Sequence, residues 1–331
     1  DSELHFKFIE AACKTGQTKE LERVCRESKF YDGERVKNFL KSANLSDLLP
    51  LIIVCDRFNF IQELILHLYR NDLEKYIEIF VTKVNSQRLP EVAGALLDVN
   101  CPEDTIKSLL VNVHGTYSTK ELVEAVEKRN RLNILQSFFE NKVYEGVTDS
   151  ETHNALAKIY IDTANGAERF LKENEYYDSI IVGKYCEKRN PMHACIAYQR
   201  GNCDKQMIQV CNDNALFKNM ARYCVKRQNE ELWNMVLSEE NEERTSLIEI
   251  VQIVLPETRS SDEITVAVKA FMTAKMPNKL IEILEKVVME NSTFKEHGNL
   301  QNLLILTAVK SDPSRVMDYV SKLENYHAKD I

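Results

Sequence analysis

The sequence predicts an all-α protein, a right-handed α-solenoid in which antiparallel helix hairpins stack into an extended rod, an arrangement also called an α-zigzag. Three observations favour this fold class: an internal repeat, apolar residues at helical spacing along almost the whole chain, and frequent helix start signals. We expect one continuous solenoid over residues 1–331. Its approximate repeat frames are a partial copy at 1–114, a complete copy at 115–260 and a partial copy at 261–331.

The internal repeat is weak but stays in register. The stretch that begins at His5 recurs from His153 and from Gln301, 148 positions later each time, and Phe30-Tyr31-Asp32 returns as Tyr176-Tyr177-Asp178. Further matched pairs are Asp104 with Asp262, Leu122 with Leu280 and Glu127 with Glu285. This period far exceeds the roughly 20–50 residues of a single structural repeat. Each copy should therefore contain several smaller units, and we predict about five helix pairs.

Helix start signals occur every dozen or so residues. Capping boxes are predicted at Ser118 with Glu121, at Ser260 with Glu263 and at Thr293 with Glu296. Prolines follow polar or junction residues, as a first helical turn tolerates. Pro50 is the exception, because it lies in an apolar stretch; it could open a helix that begins near Leu48 or kink one, and we favour the first alternative. The signals predict roughly 22 helices and no strand.

Composition and charge argue against several classes of function. The formal net charge is −8, whereas a nucleic-acid binder needs a basic face. The basic pairs at 128–129, 188–189 and 226–227 are predicted to lie at helix C-termini, where the helix dipole favours cations. The longest apolar run, residues 48–55, is far too short to cross a bilayer. We expect no nucleic-acid partner and no direct membrane insertion.

The sequence contains no motif that predicts a catalytic site. The nine glycines are scattered singly, without a phosphate-binding loop, and no nucleophile signature accompanies the seven histidines. We therefore expect no enzyme, no catalytic residue and no cofactor. Nine cysteines without a C-x-x-C pair indicate reduced thiols and a cytosolic compartment.

One cluster of residue types could in principle bind a metal. His193, Cys195, Cys203 and Cys211 lie close in the chain, but their spacings are not those of a zinc site. We interpret these cysteines as small buried core residues and expect no metal.

Two further features have a structural and a functional interpretation. Trp233, the only tryptophan, could fill a hairpin core or mark a partner site, and we favour the core. The acidic run at 239–243 could meet a basic partner, but a solvated loop or helix face is the simpler interpretation.

Several short runs resemble the clathrin heavy-chain family, in the same order as in that family and over essentially the whole chain. They are 49–58 (LPLIIVCDRF), 127–132 (EKRNRL), 154–162 (NALAKIYID), 182–189 (VGKYCEKR), 268–274 (VKAFMTA) and 299–308 (NLQNLLILTA). The resemblance implies a rod of clathrin repeats with about five hairpins each, which agrees with the internal period. The matching part of the family is the distal leg approaching the knee.

The resemblance also implies a function. We expect a structural leg segment of a self-assembling coat on coated pits and vesicles, active in endocytosis and intracellular membrane traffic. Its partners would be other heavy-chain legs, which pack side to side through many weak contacts; light chain and adaptors are not expected on this segment. The location would be cytoplasmic, on the cytosolic face of coated membranes. The alternative is a peptide-binding or vacuolar-tethering solenoid built on the same repeat. Sequence alone predicts no individual lattice-contact residues.

Overall fold

The computed structural model describes residues 2–290 and 293–331. These residues form 22 α-helices and no β-strand. The predicted all-α class and the predicted number of helices are therefore confirmed. Short 3₁₀ segments at Ser86–Arg88, Leu132–Leu135, Leu255–Glu257 and Pro313–Arg315, and π-helical turns at Phe80–Val84 and Lys286–Glu290, extend or join the helices.

The chain divides into two compact units. The first comprises Asp1–Asn165 with Asn174–Tyr177. Its helices are α1 (Ser2–Lys14), α2 (Thr18–Glu27), α3 (Gly33–Ser42), α4 (Leu49–Arg57), α5 (Ile61–Arg70), α6 (Glu74–Ile79), α7 (Leu89–Asp98), α8 (Glu103–Asn112), α9 (Thr119–Glu127), α10 (Gln136–Tyr144) and α11 (Ser150–Thr163).

The second unit comprises Gly166–Glu173 with Asp178–Ile331. Its helices are α12 (Ala167–Glu173), α13 (Ser179–Glu187), α14 (Pro191–Gly201), α15 (Asp204–Asp213), α16 (Phe217–Arg227), α17 (Glu230–Leu237), α18 (Arg244–Val254), α19 (Ser261–Thr273), α20 (Pro277–Glu285), α21 (Gly298–Ser311) and α22 (Val316–Lys322).

Helices within each unit contact both their neighbour in the chain and the next helix but one. In the first unit α1 packs against α2, α2 against α4, α5 against α7 and α7 against α9. In the second unit α13 packs against α14, α16 against α18, α17 against α19 and α20 against α21. This is the contact pattern of stacked helix pairs, in which each pair buries its apolar stripe against the next one.

Within each unit, most helices contribute buried apolar residues. In α4 every residue from Pro50 to Cys55 is buried, because α2, α3 and α5 all contact this short helix. Pro50 lies in the first turn of α4, which begins at Leu49. The favoured alternative for this proline is therefore confirmed, since the first turn needs no intrahelical N–H donor at that position.

Many helices end on an asparagine with a positive φ angle. A left-handed residue after the last helical turn frees its N–H to bond a terminal carbonyl, and asparagine tolerates that conformation better than most residues. Among the residues that the structure describes, the non-glycine residues with positive φ are Asn44, Asn59, Asp72, Asn100, Asn130, Ala164, Asn202, Ala215, Gln228 and Lys275.

Two of the three predicted capping boxes provide the expected cap, and the third is wrong. The Ser118 and Ser260 hydroxyls accept hydrogen bonds from the N–H groups of the residues three positions later. After Thr293, however, the chain forms a turn, and the next helix begins at Gly298. Tertiary contacts explain the difference, because the turn buries Phe294 and the Lys295 carbonyl accepts a bond from the Gln301 side chain.

Candidate functional site

Arginine side chains connect successive hairpins at a regular chain separation. Each one reaches the C-terminal end of a helix that lies 30–32 residues earlier in the chain. We call these contacts the hairpin ties. They are Arg57 with the Cys25 and Arg26 carbonyls, Arg88 with Asp56, Arg129 with Asp98, and Arg315 with Glu285. A cation is favoured at a helix C-terminus, where the terminal carbonyls lack intrahelical donors.

The tie at Asp56 is a small network. Arg88 Nε donates to the Asp56 carboxylate at 2.8 Å, and Arg88 Nη2 donates to the Asp56 backbone carbonyl at 3.0 Å. The Asn85 side-chain amide donates to both carboxylate oxygens of Asp56, at 3.0 and 3.1 Å. Both charged side chains are mostly buried. Since the carboxylate accepts three hydrogen bonds from two side chains, this network holds the end of α4 firmly against the segment that precedes α7.

The tie at Asp98 is bidentate. Arg129 Nε and Nη2 donate to the two carboxylate oxygens at 2.7 and 2.6 Å. These hydrogen bonds hold the pKa of Asp98 below its usual range. Gly94 makes room for the guanidinium, because a Cβ atom at that position would lie 2.9 Å from Arg129 Nη1. A larger residue at this position of α7 would therefore push the guanidinium away from its place in the tie.

A buried lysine adds a connection of another kind. The side chain of Lys37 is 2% exposed, and its ammonium donates to Glu63 Oε2 at 2.7 Å. It also lies 4.0 Å from the centre of the Phe60 ring. The hydrogen bond from Lys37 lowers the pKa of Glu63. The charge of Lys37 is tolerated in the core because a carboxylate and an aromatic face both stabilise it.

The residues that open the second and third copies of the repeat make equivalent hydrogen bonds. His153 is 1% exposed; its Nε2 lies 2.9 Å from the Val147 carbonyl oxygen and its Nδ1 lies 2.8 Å from Asn174 Nδ2. A carbonyl only accepts, so Nε2 carries the proton. The Asn174 side-chain oxygen accepts from the Tyr176 backbone N–H, and its amide therefore donates to Nδ1.

Gln301 reproduces this pair of bonds in the third copy. Its amide donates to the Lys295 carbonyl at 2.6 Å, six residues earlier, as His153 does to Val147. Its side-chain oxygen accepts from the Asn325 N–H at 2.9 Å. In the first copy, His5 Nδ1 lies 2.9 Å from the Ser28 hydroxyl. Histidine and glutamine can replace each other here because each side chain can donate one hydrogen bond and accept another.

The structure brings together only part of the cluster of His193, Cys195, Cys203 and Cys211. Cys195 and Cys211 are buried with their sulfur atoms 3.7 Å apart, whereas Cys203 and His193 are partly exposed. The hydrogen bond between the two thiols raises the pKa of Cys211. Across residues 2–290 and 293–331, no group of three or more His, Cys, Asp or Glu side chains has a metal-binding arrangement.

Two other buried cysteines have unreactive thiols. Burial raises the pKa of Cys25 and of Cys55 to about 12, so both thiols stay protonated near neutral pH. The interpretation of Cys195 and Cys211 as buried core residues is confirmed, whereas it is wrong for Cys203, which is partly exposed just before α15. No thiolate is therefore available at Cys25 or Cys55 to act as a nucleophile.

The other features singled out in the sequence have structural roles. Trp233 is fully buried, with its ring centre 6.1 Å from that of Phe271, so the core interpretation is confirmed. The acidic run at 239–243 forms the turn between α17 and α18. The basic pairs lie at the C-terminal ends of α9, α13 and α16, as predicted. None of the described helices combines the length and the hydropathy that a membrane span requires.

The sequence reasoning did not find the hairpin ties. A recurring arginine was visible, because Arg57 and Arg88 are 31 positions apart, but their acceptors are backbone carbonyls and single carboxylates in an acidic chain. Only the packing of neighbouring hairpins selects one partner from many.

Comparison with known proteins relates the chain to one family. The family model named Clathrin, described as a region in clathrin and VPS proteins, matches residues 1–104, 110–248 and 255–331. The chain is 62% identical to the probable clathrin heavy chain 1 of Caenorhabditis elegans and 62% identical to the clathrin heavy chain of Drosophila melanogaster. It is 60% identical to clathrin heavy chain 2 of Homo sapiens. Each match includes 100% of this chain and 20% of the relative.

Proposed function

Because this chain belongs to the clathrin repeat family and is similar throughout to a segment of clathrin heavy chains, we propose that it is a structural leg segment of a clathrin coat. In this role the chain carries out no reaction. It supplies a stacked helical scaffold whose sides meet the legs of neighbouring molecules. The observation that carries the proposal is the identity of 60–62% along the whole chain.

The hairpin ties support this role physically. A coat strut must transmit force along its length and still yield to the curvature of the vesicle. Stability that is spread over neighbouring hairpins meets both needs, because each junction deforms without unfolding the rest. Side-to-side contacts between legs are weak singly and strong together, since linked contacts raise the effective concentration of one another.

The partners and the location follow from the same proposal. The partners are other heavy-chain legs, and the segment carries neither the light-chain site nor the adaptor site. The location is the cytosolic face of coated pits and vesicles. We retain the repeat frames 1–114, 115–260 and 261–331, which the three separately matched segments of the family model support.

The alternative role as a peptide-binding or vacuolar-tethering solenoid is less well supported. The description of the family model includes VPS proteins. The curated relatives that share 60–62% identity are clathrin heavy chains, however. The coat role is therefore the better conclusion.

Coat assembly from a full-length heavy chain that carries this segment tests the proposal. Asp56→Ala removes one hairpin tie, and Glu173→Ala removes an exposed pair with Arg169 within a single helix. We expect Asp56→Ala to lower the yield of closed cages or broaden their size distribution in electron micrographs, and Glu173→Ala to change neither. Cryo-EM maps of the cages should show the segment along the lattice edges. Cages in which this segment lies away from every edge would refute the role.

A further inference from the structure

A surface groove in the second unit has an apolar floor that the stacking of hairpins does not explain. It has a volume of about 510 Å³ and lies between α19, the start of α20 and α21. Leu303 and Leu306 of α21 and Met272 of α19 line it. Met272 is 56% exposed. A flexible thioether beside two partly exposed leucines is typical of surfaces that adapt to an apolar ligand.

The internal repeat shows that the fold itself does not require an apolar residue at this place. The position equivalent to Leu306 in the preceding copy, 148 residues earlier, is Lys158. Lys158 donates to the carboxylate of Glu127 at 2.8 Å. The glutamate equivalent to Glu127 is Glu285, which bonds Arg315 and Tyr319 instead. The same helical framework thus accommodates a charged residue in one copy and a leucine in the other.

The rim of the groove is basic. Lys275 and Lys310 line it, both are exposed, and neither has an ion-pair partner among the described residues. The position equivalent to Lys310 in the preceding copy is Asp162, which has the opposite charge. In a chain with a net charge of −8, two lysines beside one apolar groove form a local site of complementary charge for carboxylates.

We propose that this groove binds an amphipathic helix of a partner protein, with carboxylates flanking its apolar stripe. The partner's apolar side chains would occupy the space above Leu303 and Leu306, and its carboxylates would meet Lys275 and Lys310. Grooves between helices accept a further helix through anchors at positions i, i+3 or i+4, and i+7. This role is additional to the proposed strut and does not depend on coat assembly.

Designed peptides test the proposal directly. A fluorescent helical peptide of roughly 16 residues carries leucines at i, i+4 and i+7 and glutamates beside them. A second peptide has lysines in place of the glutamates, and a third has alanines in place of the leucines. Fluorescence anisotropy with the 331-residue chain should show saturable binding of the glutamate peptide. The lysine peptide should bind about tenfold more weakly at low salt, and the difference should shrink as salt screens the charges. The alanine peptide should not bind measurably.

Variants of the chain locate the site. Leu306→Lys introduces the residue that the preceding copy tolerates, so the fold should persist, as circular dichroism will verify, while affinity for the glutamate peptide falls about tenfold or more. The double variant Lys275→Glu with Lys310→Glu should reverse the preference between the glutamate and lysine peptides. Lys269→Glu is the matched control: it changes an exposed lysine of α19 outside the groove and should leave the preference as it is.

Three results would overturn the proposal. The first is no saturable binding of the glutamate peptide. The second is binding that neither Leu306→Lys nor the double charge variant alters. The third is a dimer of the unmodified chain in sedimentation velocity that Leu306→Lys abolishes, because the groove would then belong to a second copy rather than to a partner helix.

Discussion

The exchange of histidine and glutamine between repeat copies leads to a quantitative prediction at His153. His153→Gln should keep both hydrogen bonds, since Gln301 makes the same pair in the third copy. It loses the ring contact with Tyr176, whose centre lies 4.9 Å from the imidazole. Such a contact is worth about 0.5–1.5 kcal/mol. We therefore expect His153→Gln to lower the free energy of unfolding by about 1 kcal/mol.

His153→Leu should cost more, although leucine is apolar and similar in size. It leaves the Val147 carbonyl and the Asn174 amide without their partner. A polar group left unpaired in a buried place costs about 1–3 kcal/mol. Because both groups belong to partly exposed residues, water can offset part of this penalty. We expect a total loss of about 3 kcal/mol, and hence a difference of about 2 kcal/mol between the two variants.

Urea denaturation gives the free energies, and hydrogen exchange with mass spectrometry shows where protection is lost. Exchange should accelerate first in α11 and in the segment 174–177. Gln301→His and Gln301→Leu form the reciprocal pair in the third copy and should follow the same order. If leucine costs no more than the conservative substitution at either position, the paired hydrogen bonds contribute little and the reasoning is wrong.

Four further predictions concern the ties, the core, the turns and acid. Asp56→Ala should cost about 2–3 kcal/mol, because it leaves a mostly buried guanidinium without its carboxylate, and hydrogen exchange should show the loss in α4 and α7. Leu304→Ala, which empties a fully buried position in α21, should cost about 2–5 kcal/mol and loosen its own hairpin first; uniform loss of protection would contradict this. Gln228→Gly should raise the free energy of unfolding by about 0.5–1 kcal/mol, because the residue has φ 48°, whereas Gln199→Gly within α14 should lower it by a similar amount. The pKa of Asp98 is depressed in the folded chain. Its contribution to the free energy of unfolding is therefore fully present above about pH 4, the pKa of an aspartate in the unfolded chain, and is lost as the pH falls through the lower pKa of the folded state. Asp98→Asn should therefore flatten the fall in the urea midpoint between about pH 5 and pH 3; an unchanged slope would refute the assignment.

Short sequence motifs predict the structure correctly where residues close together in the chain determine it. The Ser118 and Ser260 caps depend on a hydroxyl and an amide three residues apart, and periodicity placed Trp233 in the core. Thr293 carries the same motif, yet the helix begins five residues later at Gly298. At Gly298 a Cβ atom would lie 2.5 Å from the Asn325 carbonyl oxygen. A distant segment of the chain thus fixes that helix start, and a local motif cannot report it.

Asparagine illustrates a second limit of the sequence. Asn190 and Asn229 start helices by accepting N–H bonds, whereas Asn100 and Asn202 follow helix ends with positive φ. The same residue type serves both ends because its short side chain can cap and its backbone tolerates the left-handed region. Only the apolar pattern on either side distinguishes the two uses.

The repeat that places His5, His153 and Gln301 at equivalent positions can be read from the sequence. The hydrogen-bond partners of these residues cannot, because they do not lie at equivalent positions of the repeat. His153 bonds a side chain, Asn174, whereas Gln301 bonds a backbone N–H at Asn325. What persists between the copies is therefore one donor and one acceptor at a buried helix start, and not a residue type.

The hairpin ties explain how neighbouring hairpins within each unit keep a defined geometry. Each tie connects only adjacent hairpins, about 30 residues apart in the chain. Losing one should therefore loosen one junction and leave distant junctions intact, since sites more than about 7–10 Å apart without shared partners contribute additively. Arg57 and Arg88 donate to backbone carbonyls at a helix C-terminus. These two ties also fix the direction in which the next hairpin approaches, because the terminal carbonyls point along the helix axis. The ties thus set the orientation of neighbouring hairpins as well as their stability.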